Sequence, residues 1–234
     1  MTDPGRREEL ALRLAEVRHR IAKACEAAER DVSEVTLIAV TKTRPASDVR
    51  LLHALGVRDV GENRDAEAAP KAAECADLLL TWHFVGQLQT NKCASVVRYA
   101  SVVHSVDRLR LIRALGRAAR GAGRAIECLV EVSLDGDPAR GGAVADQVPA
   151  LAEALAGEEG LVLGGVMAIA PLSMAPADAF ARLLASAAAV RAVRPGATVI
   201  SAGMSGDLEA AVEAGATHLR IGTALLGDRE PRVR

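Results

Sequence analysis

Lys42 stands where an apolar, β-branched run, Val35-Thr36-Leu37-Ile38-Ala39-Val40, gives way to Thr41-Lys42-Thr43-Arg44-Pro45. Such a run reads as a buried strand. Pro45 biases Arg44 away from helix, so the chain breaks there. A lysine at a strand end is a candidate nucleophile: burial lowers an ammonium's pKa, and the neutral amine forms a Schiff base with a carbonyl. Far along the chain, Gly203-Met204-Ser205-Gly206 and Gly222-Thr223 combine glycines with hydroxyls. Glycine lets backbone approach a ligand, and Ser205 is placed to cap a helix beginning near Asp207. Both loops suit a phosphate held on backbone N–H groups. Taken singly, a lysine is ordinarily a solvated surface group and a glycine loop ordinarily a turn. The elements that carry these residues decide between the two readings.

An amphipathic helix is expected over about residues 3–30, with Asp3 as its cap and Pro4 at its first position. Leu10, Leu14, Val17, Ile21, Ala24 and Ala28 step by fours and threes along one face. Strand-like segments follow at roughly 35–40, 57–61, 82–86, 101–105, 126–133, 161–169, 198–202 and 218–222. Helical segments intervene at 46–55, 107–122, 145–155, 177–193 and 206–214, with Gly56, Gly123, Gly196 and Gly215 where helices should stop. Pro70 interrupts the pattern after the second strand. Alternation of this kind means a parallel sheet. Eight units in this length predict an α/β fold, a single closed (β/α)8 barrel of the TIM type with an extra N-terminal helix, spanning 1–234 as one domain. An open, doubly wound sheet is the second reading.

The composition narrows the function classes. The 234 residues are half hydrophobic, enough to bury a full core. Twenty-nine basic and 30 acidic residues give a net charge of −1, and aromatics are 2%, so no nucleic-acid partner is expected. Cys25, Cys75, Cys93 and Cys128 are far apart and show no zinc spacing, which suits reduced thiols in a cytoplasmic protein. No stretch of 18 apolar residues predicts a membrane span, and the N-terminus has no signal-peptide character.

A barrel keeps its chemistry at the C-terminal strand ends, and phosphate often sits after strands seven and eight. Lys42 ends strand one. Gly61-Glu62-Asn63, His83-Phe84-Val85-Gly86 and Met167-Ala168-Ile169 end strands two, three and six. Ser201 through Gly206 end strand seven, and Arg220-Ile221-Gly222-Thr223 end strand eight. An amine on one side and a phosphate cradle on the other suit pyridoxal 5′-phosphate, which carries an aldehyde and a phosphate. A sugar phosphate fits less specifically. Arg220, if it points inward, could face the pyridine nitrogen and keep it unprotonated; a salt bridge at the barrel mouth is the other reading. His83 is as readily structural as functional. Glu131 could point into the barrel, where it would need a partner.

Ala39-Val40-Thr41-Lys42-Thr43-Arg44-Pro45, Gly61-Glu62-Asn63, Trp82-His83-Phe84-Val85-Gly86-Gln87-Leu88-Gln89-Thr90-Asn91-Lys92, Gly203-Met204-Ser205-Gly206-Asp207 and Arg220-Ile221-Gly222-Thr223-Ala224 together resemble the pyridoxal phosphate homeostasis protein family, from about residue 8 to Gly227. The resemblance implies a barrel related to the N-terminal domain of alanine racemase, with pyridoxal 5′-phosphate on Lys42 as a Schiff base. It implies that Ser205, Gly222 and Thr223 bind the phosphate with Ser201 as a helper, that Arg220 faces the pyridine nitrogen, and that Asn63 and Met167 line the ring. It further implies a protein of vitamin B6 homeostasis that carries, buffers or delivers the cofactor without efficient turnover, with no catalytic residues, no metal, and apo pyridoxal-phosphate enzymes as possible recipients. A monomer is expected. Two positions depart from the family pattern: Arg64 replaces a frequent tyrosine, and Arg140 a frequent lysine. Arginine keeps the charge but does not readily form an imine.

A racemase-like enzyme is the alternative. Racemisation needs an acid and a base on opposite faces of the Cα. The chain's single tyrosine, Tyr99, falls just before strand four, near the wrong end of the barrel. A phosphosugar aldolase or isomerase is the third reading, and would bind sugar phosphate without a chromophore.

Overall fold

Leu10, Leu14, Val17 and Ile21 are buried on one face of α1 (Pro4–Ala27), as their stepping requires. The computed structural model describes residues 4–137 and 140–227, so the Asp3 cap lies outside the described residues. The strands are β1 (Thr36–Val40), β2 (Asp59–Glu62), β3 (Thr81–Phe84), β4 (Val102–Val106), β5 (Ile126–Glu131), β6 (Leu161–Met167), β7 (Val199–Ser201) and β8 (His218–Ile221). Each pairs in parallel with its sequence neighbour, and β1 pairs with β8, Thr36 opposite His218 and Ala39 opposite Ile221. The chain therefore forms the closed (β/α)8 barrel that its sequence predicts, not an open sheet. Helices α2 (Ala46–Ala54), α3 (Asp65–Glu74), α4 (Cys93–Tyr99), α5 (Leu109–Gly121), α6 (Val148–Ala156), α7 (Pro176–Val193), α8 (Leu208–Glu213) and α9 (Thr223–Leu226) follow their strands. No helix among the described residues is long and apolar enough to cross a membrane.

Two of the differences from expectation bear on the barrel wall. α3 continues through Pro70. A proline inside a helix costs about 3 kcal/mol; burial of Ala68 and Ala72 on one face and the Lys71–Glu62 pair hold the helix against the barrel. β7 spans three residues rather than five. It is nonetheless held on both sides, by β6 and β8.

The main core lies between strands and helices. It joins α1 through Leu14 and Ile21 to strand residues such as Ala39 and Leu219. Inside the barrel the apolar layer is small: Val102, Leu129 and Met167, with Val199 beside them. Polar groups fill much of the rest. His104 on β4 reaches Ser201 on β7 at 2.9 Å, a contact that crosses the barrel interior.

Candidate functional site

A cavity of about 430 Å³ opens at the C-terminal ends of the strands. Its wall includes Lys42 after β1, Asn63 after β2, Gly86 after β3, Glu131 at the end of β5, Ile169 after β6 and the loops that follow β7 and β8. Lys42, Asn63, Ser205, Arg220, Gly222 and Thr223, all singled out from the sequence, meet there. Met167 and Ser201 do not line it; both are wholly buried.

Lys42 is held by a sharp turn. Thr43, the next residue, has a φ of 66°, in the left-handed region that a β-branched residue rarely enters. Its N–H donates to Glu67 Oε2 at 3.2 Å, which helps hold that conformation. Behind the turn, the buried Lys71 ammonium donates to Thr41 O at 2.8 Å and to Glu62 Oε1, which also accepts from Thr41 Oγ1 at 2.7 Å. This knot ties the end of β1 to β2 and α3. Burial raises the Glu62 pKa and the bond from Lys71 opposes the rise. Glu62 was legible only as part of a motif, and Lys71 was missed: a lysine in a helix ordinarily reads as solvated.

The loops after β7 and β8 form the opposite wall. The N–H groups of Ser205, Gly206, Gly222 and Thr223 donate to no atom among the described residues, and all four residues line the cavity. Ser205 does not cap the helix beginning at Leu208, as its position in sequence suggests. Its Oγ accepts from Ala224 N at 3.1 Å, while Asp207 Oδ1 turns back to Met204 N at 2.6 Å. The Ser205 hydroxyl hydrogen thus stays available to a ligand. Gly203, at φ 88°, could not carry a side chain: a Cβ there would sit 2.5 Å from Ala211 Cβ. Anions bind where several N–H groups converge.

Arg220 is 5% exposed and lines the cavity. Its Nη1 donates to Ser201 Oγ at 2.7 Å and its Nη2 to Ala168 O at 2.8 Å. Burial lowers its pKa to about 10, so it remains a cation at neutral pH. Ser201, expected as a phosphate helper, spends its oxygen on Arg220 and His104. Glu131 lines the cavity with Oε2 buried and without a hydrogen-bond partner among the described residues, and burial, with Asp107 adding repulsion, pushes its carboxyl up to about 7. Arg140 lines the rim, joining Asp135 Oδ2 at 2.8 Å to Ile169 O at 3.1 Å. Arg64 is exposed, lies 3.7 Å from Glu67, and does not line the cavity.

Other candidates fall elsewhere. Lys92, the last residue of the Trp82-to-Lys92 motif, is exposed and away from the cavity. Tyr99 packs edge-on against Trp82 outside the barrel wall, with its hydroxyl 3.5 Å from Asp65. His104 lies in the middle of β4, with its side chain turned into the barrel interior toward Ser201. Among the described residues no cluster of His, Cys, Asp or Glu could hold a metal ion.

The family model for the alanine racemase N-terminal domain matches residues 12–230. The pyridoxal phosphate homeostasis protein of Mycobacterium tuberculosis is 45% identical, with 98% of this chain and 96% of the relative covered. That of Pseudomonas aeruginosa is 42% identical, with 94% and 96% covered. Among solved structures, PipY of Synechococcus elongatus with PLP bound superposes with a TM-score of 0.81 at 37% identity, over 93% of this chain and 100% of PipY.

Proposed function

The chain belongs to the pyridoxal phosphate homeostasis protein family, and from that membership and its cavity we propose that it binds pyridoxal 5′-phosphate as a Schiff base on Lys42 and carries, buffers or delivers it. The observation that carries this reading is the meeting, in one cavity, of the Lys42 amine with four N–H groups that have no partner among the described residues and with the hydroxyls of Ser205 and Thr223. An aldehyde calls for a primary amine, and a phosphate calls for convergent donors. Asn63 would border the ring, and Met167 would support it from the interior. When bound, the cofactor supplies an electron sink.

The chain's own residues restrain that chemistry. Arg220 can only donate hydrogen bonds. A ring nitrogen facing it is kept as an acceptor, unprotonated, and the ring withdraws electrons weakly. The tyrosine that a racemase would use is not at this site: Tyr99, the one tyrosine of the sequence, packs on Trp82 outside the barrel wall and does not line the cavity. We read the protein as a cofactor carrier rather than an enzyme, acting as a monomer in the cytoplasm. The four cysteines are free and buried, as suits thiols kept in a reducing compartment.

Loading with pyridoxal phosphate, followed by mixing with an apo pyridoxal-phosphate enzyme, tests the role. The loaded protein is expected to restore that enzyme's activity while producing no D-alanine from L-alanine. Rapid racemisation by the loaded protein would favour the enzyme reading.

A further inference from the structure

Arg220 is the first member of a column of polar side chains that runs down the barrel. Its Nη1 donates to Ser201 Oγ at 2.7 Å. Ser201 Oγ lies 2.9 Å from His104 Nδ1, His104 Nε2 lies 2.9 Å from His83 Nδ1, and His83 Nε2 lies 3.0 Å from Asp59 Oδ1. Every member from Arg220 to His83 is at most 5% exposed, while the Asp59 side chain, at 25%, reaches solvent.

The two ends fix the direction of every bond between them. A guanidinium cannot accept, so Ser201 must offer Arg220 a lone pair. Ser201 Oγ has no third partner among the described residues, so its one hydrogen goes to His104 Nδ1. Burial, with His83, Arg220 and His218 nearby, holds His104 well below the ordinary histidine range, so its ring is neutral with a single N–H. That N–H is then on Nε2 and donates to His83 Nδ1. His83 Nδ1 carries no hydrogen, so its own N–H is on Nε2 and donates to the Asp59 carboxylate. The opposite tautomer of His104 would leave the Ser201 hydrogen without an acceptor, inside a barrel where an unmade bond costs about 1–3 kcal/mol. His218 stands beside the column rather than in it: its Nδ1 meets Thr217 Oγ1 at 2.8 Å and its ring lies 6.2 Å from that of His83.

We propose that His104, His83 and Asp59 position Arg220: their one-directional chain commits Ser201 to accept from the guanidinium and so fixes the edge that Arg220 turns to the ring nitrogen of the cofactor. The proposal rests on the cavity being the pyridoxal phosphate site. These are positioning residues, since none lines the cavity.

Two measurements test it. In cofactor-free protein, long-range ¹H–¹⁵N spectra of the histidine rings should show His104 and His83 both as Nε2–H tautomers; an Nδ1–H tautomer at either ring would overturn the column. In loaded protein, His104→Leu should shift the visible band of the bound cofactor and weaken its retention roughly tenfold, while binding of inorganic phosphate alone stays unchanged. His104→Gln, whose amide can both accept and donate, should return the band toward its original position. A His104→Leu protein with an unaltered band and retention, or His104→Gln as impaired as His104→Leu, would contradict the positioning role. The tautomer measurement needs no substitution, so it decides the column even if His104→Leu does not fold. If the unsubstituted protein takes up no pyridoxal phosphate, the cofactor reading fails and with it the role of the column, while the tautomers still report whether the column exists.

Discussion

Ser205 Oγ accepts a hydrogen bond from Ala224 N at 3.1 Å, which joins the loop after β7 to the start of α9 where both border the cavity. The same hydroxyl therefore fixes the cradle and can donate to what the cradle holds. Ser205→Ala should lose both effects. Retention of pyridoxal phosphate is expected to fall by about 1–2 kcal/mol, or roughly five- to thirtyfold. Equilibrium dialysis measures it, and unchanged affinity would count against the cradle.

Thr223→Val keeps the shape of the side chain and removes only its hydroxyl. The expected loss is smaller, about 1 kcal/mol or roughly fivefold in cofactor affinity, with little change in the urea midpoint. A cofactor affinity equal to that of the unsubstituted protein would remove Thr223 from the phosphate site.

Much of this arrangement was legible in the sequence, and the rest was hidden for identifiable reasons. Lys42, the glycine loops and Arg220 were readable because a barrel sends its strand ends to one face, so strand order alone places them together. The Ser205–Ala224 bond was not, because local reasoning offers Ser205 a nearer partner in the helix that follows it. Lys71 was hidden because a lone helical lysine resembles a solvated one until Glu62 and Thr41 are known to lie beneath it. The histidine column was hidden because it depends on which strands face one another across the barrel. His104 and Ser201 are 97 residues apart in sequence. Ser201 was noticed at the correct strand end, but only the register shows its hydroxyl turned to His104 and Arg220.

Glu131 makes stability depend on pH. Its folded pKa, about 7, lies above the ordinary 4.5, so its favourable contribution is complete below pH 4.5 and is lost as pH rises through 7. Glu131→Gln cannot ionise. Without cofactor, the variant should match the unsubstituted protein near pH 4 and exceed it by about 2–3 kcal/mol at pH 8. Urea unfolding at the two pH values measures this. An equal difference at both would show that Glu131 does not titrate as its burial requires.

Lys71→Met should be costly at neutral pH, because it strands the buried Glu62 carboxylate. Breaking a buried ion pair from one side costs about 3–5 kcal/mol. Burial already raises the Glu62 pKa, so losing Lys71 raises it further and the variant should regain stability as pH falls and the carboxyl takes up a proton. Thermal unfolding at pH 8 and pH 5 measures this; a loss that is small and independent of pH would mean that the pair does not hold the β1 turn.

The Schiff base on Lys42 is tested most directly by loading the protein with pyridoxal phosphate, recording its visible absorption, reducing it with borohydride and mapping the modified peptide by mass spectrometry. A yellow protein that fixes one pyridoxyl-phosphate group on Lys42, with no fixation in Lys42→Ala, is the predicted result. A protein that stays colourless after loading, or that carries the group on another lysine, would contradict the account.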